Sequence, residues 1–230
     1  MIDDILLPNS AKGEILDNYL AFGWYRTGKF IFTTDFLEIP GHDRAYSVFW
    51  LRYVVKKIHL SASAKKIISR NKQFDVQYRV FSLTPELIDL HAQYVSSLEF
   101  ETAKSLELLL SDVTNEVWDS YVIEVRDNGK LIAAGVFDKG VRTIEGIVNF
   151  YDPAYKKYSP GKYLMLLKLN YCLQSNIPLY YPGYYSPEYP VFDYKLFLDE
   201  DATEVFIPQL KMWVPYQEFT KLLVAIKLMH

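Results

Sequence analysis

Hydrophobic and polar positions follow helical and strand-like periods along the chain, with helices prominent before about Trp118 and strands prominent after it. Apolar residues at helical spacing in EILDNYLAF, residues 14–22, predict an amphipathic helix. A β-branched and aromatic run predicts a long strand over 46–58. Ser61 or Ser63 is a candidate cap for the helix that follows. Thr84 and Pro85 predict another helix start, with helical patterning through Val95 and again over 102–110.

The second half predicts a sheet with one buried helix. Asn128-Gly129 supplies the positive φ angles of a tight hairpin between two strands, and IEGIVNF adds a third. A loop, an apolar helix over 162–174 and a fourth strand, IPLYYPGYY, follow. This order predicts an α+β fold whose mixed sheet packs against the helix. The apolar tail over 206–230 is expected to pack on the body, with no function assigned to it.

Composition narrows the class of protein. The chain has 230 residues, half of them apolar, which suits one large domain or two small ones. Cys172 is the single cysteine, so an internal disulfide and a thiolate metal cluster are excluded. The first residues lack the pattern of a signal peptide, and no apolar run reaches the roughly 18 residues of a membrane helix. We therefore expect a cytoplasmic protein that has no membrane partner.

Charge is distributed unevenly although the net charge is only −3. No Asp or Glu occurs between Arg44 and Phe74. Such a basic segment either attracts a polyanion or forms a solvated face balanced by acidic loops. The basic residues of the segment are Arg44, Arg52, Lys56, Lys57, Lys65, Lys66, Arg70 and Lys72.

The segment FYDPAYKKYSPGKY, residues 150–163, joins a tyrosine-rich loop to the apolar helix. Free backbone N–H groups at a helix start bind an anion or a developing oxyanion, and Gly161 permits close approach. The alternative is structural, with Ser159 as an ordinary cap and Gly161 easing the turn.

The ordered motifs VFDKG, IVNFYDPAYKKYSPGKY and IPLYYPGYYSPEYPVFDYK resemble the C-terminal half of aminoacyl-tRNA–protein transferases, the arginyl and bacterial leucyl enzymes of the N-degron pathway. LAFGWYRTGKF and LSASAKKIISRN are similar to stretches of the N-terminal half. Matching positions include Gly23, Trp24, Arg26, Gly28, Ser61, Ser63, Lys65, Lys66, Asn71, Asp138, Tyr151, Asp152, Ser159, Gly161, Tyr163, Tyr180, Gly183, Tyr184, Tyr185, Tyr194 and Lys195.

Departures from the family pattern change one expectation. The family has a cysteine-rich knot where this chain reads DFLEIPGHDRAY, so the family's metal or iron–sulfur site cannot form. His42, Glu38 and Asp43 could form a substitute metal site, and the alternative is that Pro-Gly-His-Asp is only an exposed turn. Pro160 replaces the family's leucine, and lysines at 65 and 66 replace arginines. We expect no metal and no cofactor, with aminoacyl-tRNA as a co-substrate.

The resemblance implies an acetyltransferase-like (GNAT-like) domain over 81–230, whose sheet splits to admit an acyl donor, and a smaller α/β region over 1–80. It implies attack by a protein's N-terminal amine on the ester of an aminoacyl-tRNA, so that charged tRNA and the acceptor N-terminus are the partners. The oligomeric state and the donor amino acid stay open.

The resemblance also assigns residues to roles. The α-amine needs little activation because its pKa is about 7.7–8.0. Asp138 and Asp152 are assigned a catalytic role, and the alternative is that each only stabilises a turn. The candidate catalytic residues are Asp138, Asp152, Ser159 and Gly161. The candidate substrate-binding residues are Trp24, Arg26, Tyr151, Tyr163, Tyr184, Tyr185 and Lys195, and among them Trp24, Arg26 and Lys195 are expected to meet an acidic acceptor side chain. The candidate tRNA-binding residues are Lys56, Lys57, Lys65, Lys66 and Arg70.

Three other functions fit parts of the pattern. A non-catalytic descendant of the family would bind tRNA or acidic N-termini and transfer nothing. An acyl-CoA N-acetyltransferase would use the same sheet, although SPGKY offers one glycine for a pyrophosphate loop. A structural partner protein would use the tyrosine loop only as core.

Overall fold

The computed structural model describes residues 3–98, 105–110 and 116–228. Its helices are α1 (Glu14–Ala21), α2 (Ala62–Asn71), α3 (Pro85–Ser96), α4 (Leu106–Leu109), α5 (Pro160–Gln174) and α6 (Tyr216–Leu228), with 3₁₀ helices at Val55–Lys57, Pro153–Tyr158 and Pro190–Leu196. Its strands are β1 (Asp3–Leu6), β2 (Tyr25–Thr27), β3 (Phe30–Thr34), β4 (Phe36–Glu38), β5 (Ala45–Ser47), β6 (Phe49–Val54), β7 (Asp75–Val80), β8 (Ser120–Asp127), β9 (Lys130–Lys139), β10 (Thr143–Tyr151), β11 (Leu179–Tyr185), β12 (Thr203–Ile207) and β13 (Met212–Pro215).

An eight-stranded sheet dominates the fold, in the order β13-β12-β6-β11-β10-β9-β8-β7. Neighbouring strands in this sheet are antiparallel, except that β10 and β11 run parallel and are connected by the crossover helix α5. β1, β3 and β2 form a small second sheet, and β4 pairs with β5. The predicted α+β class with a mixed sheet is confirmed.

The sheet opens between its two parallel strands. β10 and β11 pair only from Thr143 with Leu179 to Glu145 with Tyr181. Immediately beyond, the β10 register shifts between Gly146 and Val148, and β11 is irregular between Tyr180 and Gly183. The predicted split of the sheet is confirmed, and we call the space between the diverging strands the split.

Helices cover both faces of the sheet. α5 is buried along most of its length, from Pro160 to Cys172, and packs on one face with α2 beside it. α3 and α4 pack on the other face around Leu87, Leu106 and Phe150. The predicted buried helix is confirmed, and its start lies where the split opens.

Local sequence signals account for most element boundaries. Asn128 and Gly129 have φ angles of 48° and 87° and connect β8 to β9, as predicted. Ser61 caps α2 by accepting from the Ala64 N–H (3.2 Å), and Thr84 caps α3. The helix predicted over 102–110 appears as α4; residues 102–104 lie outside the described residues.

The strand predicted over 46–58 is wrong in its length. The structure divides it into β5, β6 and the 3₁₀ helix at Val55–Lys57. The Val48 N–H donates to Asp35, and the Val55 N–H donates to Pro178, so backbone contacts outside the strand turn the chain at both places.

The large sheet takes β6 and β7 from before residue 81 and the remaining strands from after it. The apolar tail supplies the end of β12, then β13 and α6, with Phe206, Val214 and Phe219 buried. The described part of the tail therefore packs on the body, as predicted.

Candidate active site

Aromatic side chains stand on both edges of the split. Tyr151 of β10 packs on Tyr94 of α3, with ring centroids 4.9 Å apart. Tyr184 of β11 meets Trp50 edge-on at 5.2 Å and Phe192 at 5.1 Å. Burial raises the pKa of Tyr151 and of Tyr184, so that both phenols are neutral donors at physiological pH. Both tyrosines are half-buried, which leaves part of each surface for a ligand.

Lys195 lies beside Tyr184 in a cage of rings. Its Nζ donates to the Tyr184 carbonyl (2.8 Å) and lies 4.7 Å from the ring centres of Tyr184 and Phe192. No carboxylate is bonded to it within residues 3–98, 105–110 and 116–228. Burial lowers the pKa of Lys195 to about 7. A buried ammonium of this kind is a ready counter-ion for an incoming carboxylate.

The start of α5 offers free backbone donors next to the same tyrosines. Ser159 has a left-handed φ of 57°, and its hydroxyl makes no capping bond. The helical ladder begins with the Tyr163 N–H donating to the Ser159 carbonyl (3.0 Å). The amides of Gly161 and Lys162 therefore precede the first helical bond. A Cβ on Gly161 would lie 3.7 Å from the Tyr151 ring, so the helix start adjoins β10.

Two predicted site tyrosines belong to the core. Tyr163 is 7% exposed and packs in the cluster around α5. Tyr185 is 8% exposed and meets Tyr216 edge-on, with centroids 5.9 Å apart. The structure thus brings Tyr151, Tyr184, Ser159, Gly161 and Lys195 around the split and places these two tyrosines behind its walls.

Asp152 is engaged in a turn. It is 2% exposed, accepts from Lys130 Nζ (2.6 Å), and accepts from the Ala154 N–H (2.9 Å) at the start of a 3₁₀ helix. Burial would raise the pKa of Asp152, but the hydrogen bonds from Lys130 and Ala154 outweigh it and lower the pKa. The geometry matches the turn alternative of the sequence analysis.

Arg26 and Asp138 form a buried ion pair away from solvent. Arg26 Nη1 lies 3.0 Å from both Asp138 oxygens, and both side chains have no exposed surface. Ser120 also donates to Asp138, and the Arg26 N–H donates to Glu145 (2.7 Å). Sequence reasoning missed Glu145, whose one signal is an acid inside an apolar strand. Burial, reinforced by Asp138, raises the pKa of Glu145.

Trp24 packs against the same buried cluster as Tyr184, the tyrosine that Lys195 contacts. It lines a groove of about 380 Å³ on the N-terminal lobe with Leu6, Tyr19 and Phe22 among its neighbours. Arg26 is paired with Asp138, and neither Arg26 nor Lys195 is among the residues that line this groove.

The predicted basic residues are all exposed, and α2, which carries three of them, reaches the tyrosine loop. Arg70 donates to the Lys157 carbonyl (2.7 Å), and Asn71 donates to the Tyr158 carbonyl (2.9 Å), so α2 is tied to the loop before α5. Lys57 lies 3.9 Å from Glu204. We call this surface the basic face; its exposed members are Lys56, Lys57, Lys65, Lys66, Arg70, Lys156, Lys157 and Lys162.

A groove of about 740 Å³ lies between the α2 cap and the first turn of α5. Lys162 lies at its edge and also belongs to the basic face. Tyr194 lines the groove, and its ring centre lies 5.9 Å from Lys195 Nζ, which bonds to Tyr184 at the split. Its other lining residues are His59, Ser61, Tyr185, Asp193, Leu196, Phe197, Leu198, Asp199, Glu200 and Tyr216.

No group of three or more His, Cys, Asp or Glu side chains is placed to hold a metal ion in the described part of the chain. His42 lies in the turn between β4 and β5, where its Nδ1 is 2.6 Å from the Tyr46 hydroxyl. Cys172 is buried, and burial raises the pKa of its thiol. Among the residues described, no helix is long and apolar enough to cross a membrane.

Comparison with known proteins gives one family and several relatives. The family described as "Arginine-tRNA-protein transferase, C terminus" matches residues 86–201. An aspartate/glutamate leucyltransferase of Methylobacillus flagellatus is 25% identical over 179 residues, covering 76% of this chain and 70% of that protein. Another, of Leptospira interrogans, is 20% identical over 220 residues, covering 93% and 83%. The crystal structure of FemX has a TM-score of 0.50 and 7% identity, covering 84% of this chain and 66% of that one, and shows a shared fold.

Replacing Asp138 by Asn is expected to lower the free energy of unfolding by about 3–5 kcal/mol, because Arg26 would keep a buried charge without its partner. Urea unfolding of the variant measures this, with Asp75→Asn on the exposed surface as the control. A loss below about 1 kcal/mol would contradict a structural role for the pair.

Proposed function

The chain belongs to the arginine-tRNA–protein transferase family, and we propose that it moves an amino acid from charged tRNA to the N-terminal amine of an acceptor protein. The family match extends over β8 to β11, and therefore over the whole split. The observation that carries the proposal is the continuity of three features: the basic face, the start of α5 and the aromatic walls of the split.

The basic face is the proposed contact for tRNA. Its side chains are exposed, and nothing acidic in α2 offsets them. Lysine and arginine neutralise phosphates and release counter-ions, which gives affinity without sequence readout. The face ends at Lys162, so a bound acceptor stem would deliver its 3′ end to the groove and to the start of α5.

The groove suits the terminal nucleoside. Tyr194 and Phe197 offer ring surfaces on which a base can stack. Asp193 and Ser61 offer acceptors for ribose hydroxyls and for an exocyclic amine. The amides of Gly161 and Lys162 would then face the phosphate or the ester oxygen at the entrance to the split.

The chemistry requires one bond to form and one to break. The neutral α-amine attacks the ester carbon, the C–N bond forms, and the C–O bond to the terminal ribose breaks. The amine proton leaves to solvent or to the departing ribose oxygen. Because the ester is already activated, the residues of the split contribute position and hydrogen bonds to the oxyanion, from Ser159, Tyr184 and the free amides.

Lys195 is the proposed contact for the acceptor's first side chain. The relatives are named aspartate/glutamate leucyltransferases, and a carboxylate at that position needs a cation. Arg26 is paired with Asp138, whereas Lys195 has no carboxylate bonded to it in the described structure. An acidic acceptor side chain would supply this counter-ion and stabilise the ammonium form of Lys195.

A transfer assay tests the proposal. Labelled leucyl-, arginyl- and phenylalanyl-tRNA are offered with peptides that begin with Asp, Glu, Arg or Lys, and label is expected on an acidic peptide. Ser159→Ala and Tyr184→Phe are expected to lower the rate about 10-fold or more, through lost positioning. Ser175→Ala, at the opposite end of α5, is the matched control.

Failure to transfer with every pairing would contradict the proposal. Salt-sensitive tRNA binding in that case would favour the non-catalytic descendant. Thermal stabilisation by acetyl-CoA, without any by aminoacyl-tRNA, would favour the acyl-CoA acetyltransferase.

Replacing Lys195 by Met is expected to lower kcat/KM for an Asp-peptide by about 10- to 100-fold, the effect of one hydrogen bond to a charged group. The same variant is expected to change kcat/KM for an Asn-peptide by less than about threefold, because the side chain of that acceptor carries no charge. Lys29→Met, an exposed lysine on the N-terminal lobe, is the control. Equal losses of kcat/KM for the two peptides would contradict the proposed role of Lys195.

A further inference from the structure

Lys168 is a buried lysine on α5 that the proposed mechanism does not use. It is 1% exposed, although its helix is otherwise apolar at this depth. Its Nζ donates to the Val136 carbonyl of β9 (2.9 Å) and to the Asn149 side-chain oxygen of β10 (2.8 Å). One side chain from the helix thus bonds to two adjacent strands.

These two bonds flank the irregular point of β10. Gly146 pairs with Phe137, and the next pair is Val148 with Val136, so Ile147 has no cross-strand partner. An extra residue of this kind is a β-bulge, which bends its strand and increases the local twist. Val136, which accepts from Lys168, lies directly opposite the bulge.

The bulge and the split begin at the same place. The last β10–β11 pair is Glu145 with Tyr181, immediately before the bulge. A regular β10 would continue in register along β11, because parallel strands pair evenly. The bend at Ile147 takes β10 away from β11 and leaves the aromatic walls facing each other across a gap.

Neighbouring glycines show how closely Lys168 is fitted. A Cβ on Gly135 would lie 2.8 Å from Asn149 Oδ1 and 3.4 Å from Lys168 Cε. A Cβ on Gly146 would lie 3.3 Å from the Tyr180 hydroxyl and 3.6 Å from Lys168 Nζ. Gly135 therefore leaves room for the Asn149 oxygen that accepts from Lys168, and at both glycines the strands pass within ordinary contact distance of the lysine.

Stability alone does not explain a lysine here. Burial lowers the pKa of Lys168 to about 7, and Asp138 opposes that shift only from a distance. Removing an ammonium from water without a bonded carboxylate is costly, whereas an apolar side chain would fill the same space cheaply. Perturbed buried groups of this kind occur preferentially at functional sites.

We propose that Lys168 is a positioning residue for the transfer reaction: it fixes the β10 bulge and thereby keeps the split open for the aminoacyl end of the donor. This inference rests on the proposed function for its kinetic consequence. Its structural consequence, a bend in β10 that depends on Lys168, is independent of what the protein transfers.

The test compares Lys168→Met with Lys168→Gln. Methionine fills the space between α5 and the sheet but carries no hydrogen-bond donor. Glutamine keeps an amide donor near the two acceptors. We expect Met to lower kcat about 10- to 100-fold through misplacement of the reacting groups. We expect KM for tRNA to stay unchanged, because the basic face is untouched, and Gln to restore much of the rate. Gln174→Met, on the exposed end of α5, is the control.

Amide hydrogen exchange supplies a readout without catalysis. In Lys168→Met, the amides of residues 146–150 and of Gly183 and Tyr184 are expected to gain protection as β10 and β11 come together. If the wild-type protein transfers nothing, the proposed function fails, while exchange still decides the role of Lys168.

Wild-type kcat and unchanged exchange in Lys168→Met would overturn the proposal. Where that variant does not fold, Asn149→Leu removes the second acceptor and leaves the lysine, and the same fall in kcat and gain in protection are expected. Failure of both variants to fold would also overturn it, because Lys168 would then serve stability.

Discussion

The short parallel pairing between β10 and β11 is the constraint on which the site depends. Three residue pairs join the strands before they diverge, and the divergence creates the space that the reaction needs. Opening a sheet leaves strand carbonyls without the neighbours that would normally bond to them, and buried backbone groups require partners. Lys195 supplies such a donor to Tyr184 of β11 beyond the last pair, and Lys168 supplies one to Val136 of β9 opposite the bulge. The split is thus stabilised by side chains from outside the two strands.

The surroundings of the split follow from chain connectivity. Because parallel strands need a crossover, β10 must be followed by a helix, and the start of α5 comes to the same end of the sheet as the opening. α2 packs beside α5 and is tied to the tyrosine loop, which joins the basic face to that helix start. In the proposed function, polyanion binding and ester placement would therefore occupy adjacent surfaces.

Sequence reasoning succeeded where a signal is local. The Asn128-Gly129 hairpin, the Thr84 cap and the buried helix after Ser159 each follow from a few neighbouring residues. It could not place contacts between distant segments. Arg26 lies 112 residues from Asp138, and nothing near either residue indicates that they pair. For Lys168, the sequence shows a lysine in an apolar helix, but its acceptors lie on two strands 32 and 19 residues away. Motif resemblance identified the right family, whereas only coordinates separate residues that face the split from those behind its walls.

The central claim is that the split receives the aminoacyl end of tRNA. Hydrogen exchange with a tRNA that carries its amino acid through a stable amide link tests it most directly. The account predicts added protection at the amides of residues 146–151, 161–163 and 183–185 as well as on α2, and loss of the protection at the split when the tRNA is uncharged. Protection confined to α2 and the tyrosine loop, equal for charged and uncharged tRNA, would contradict it.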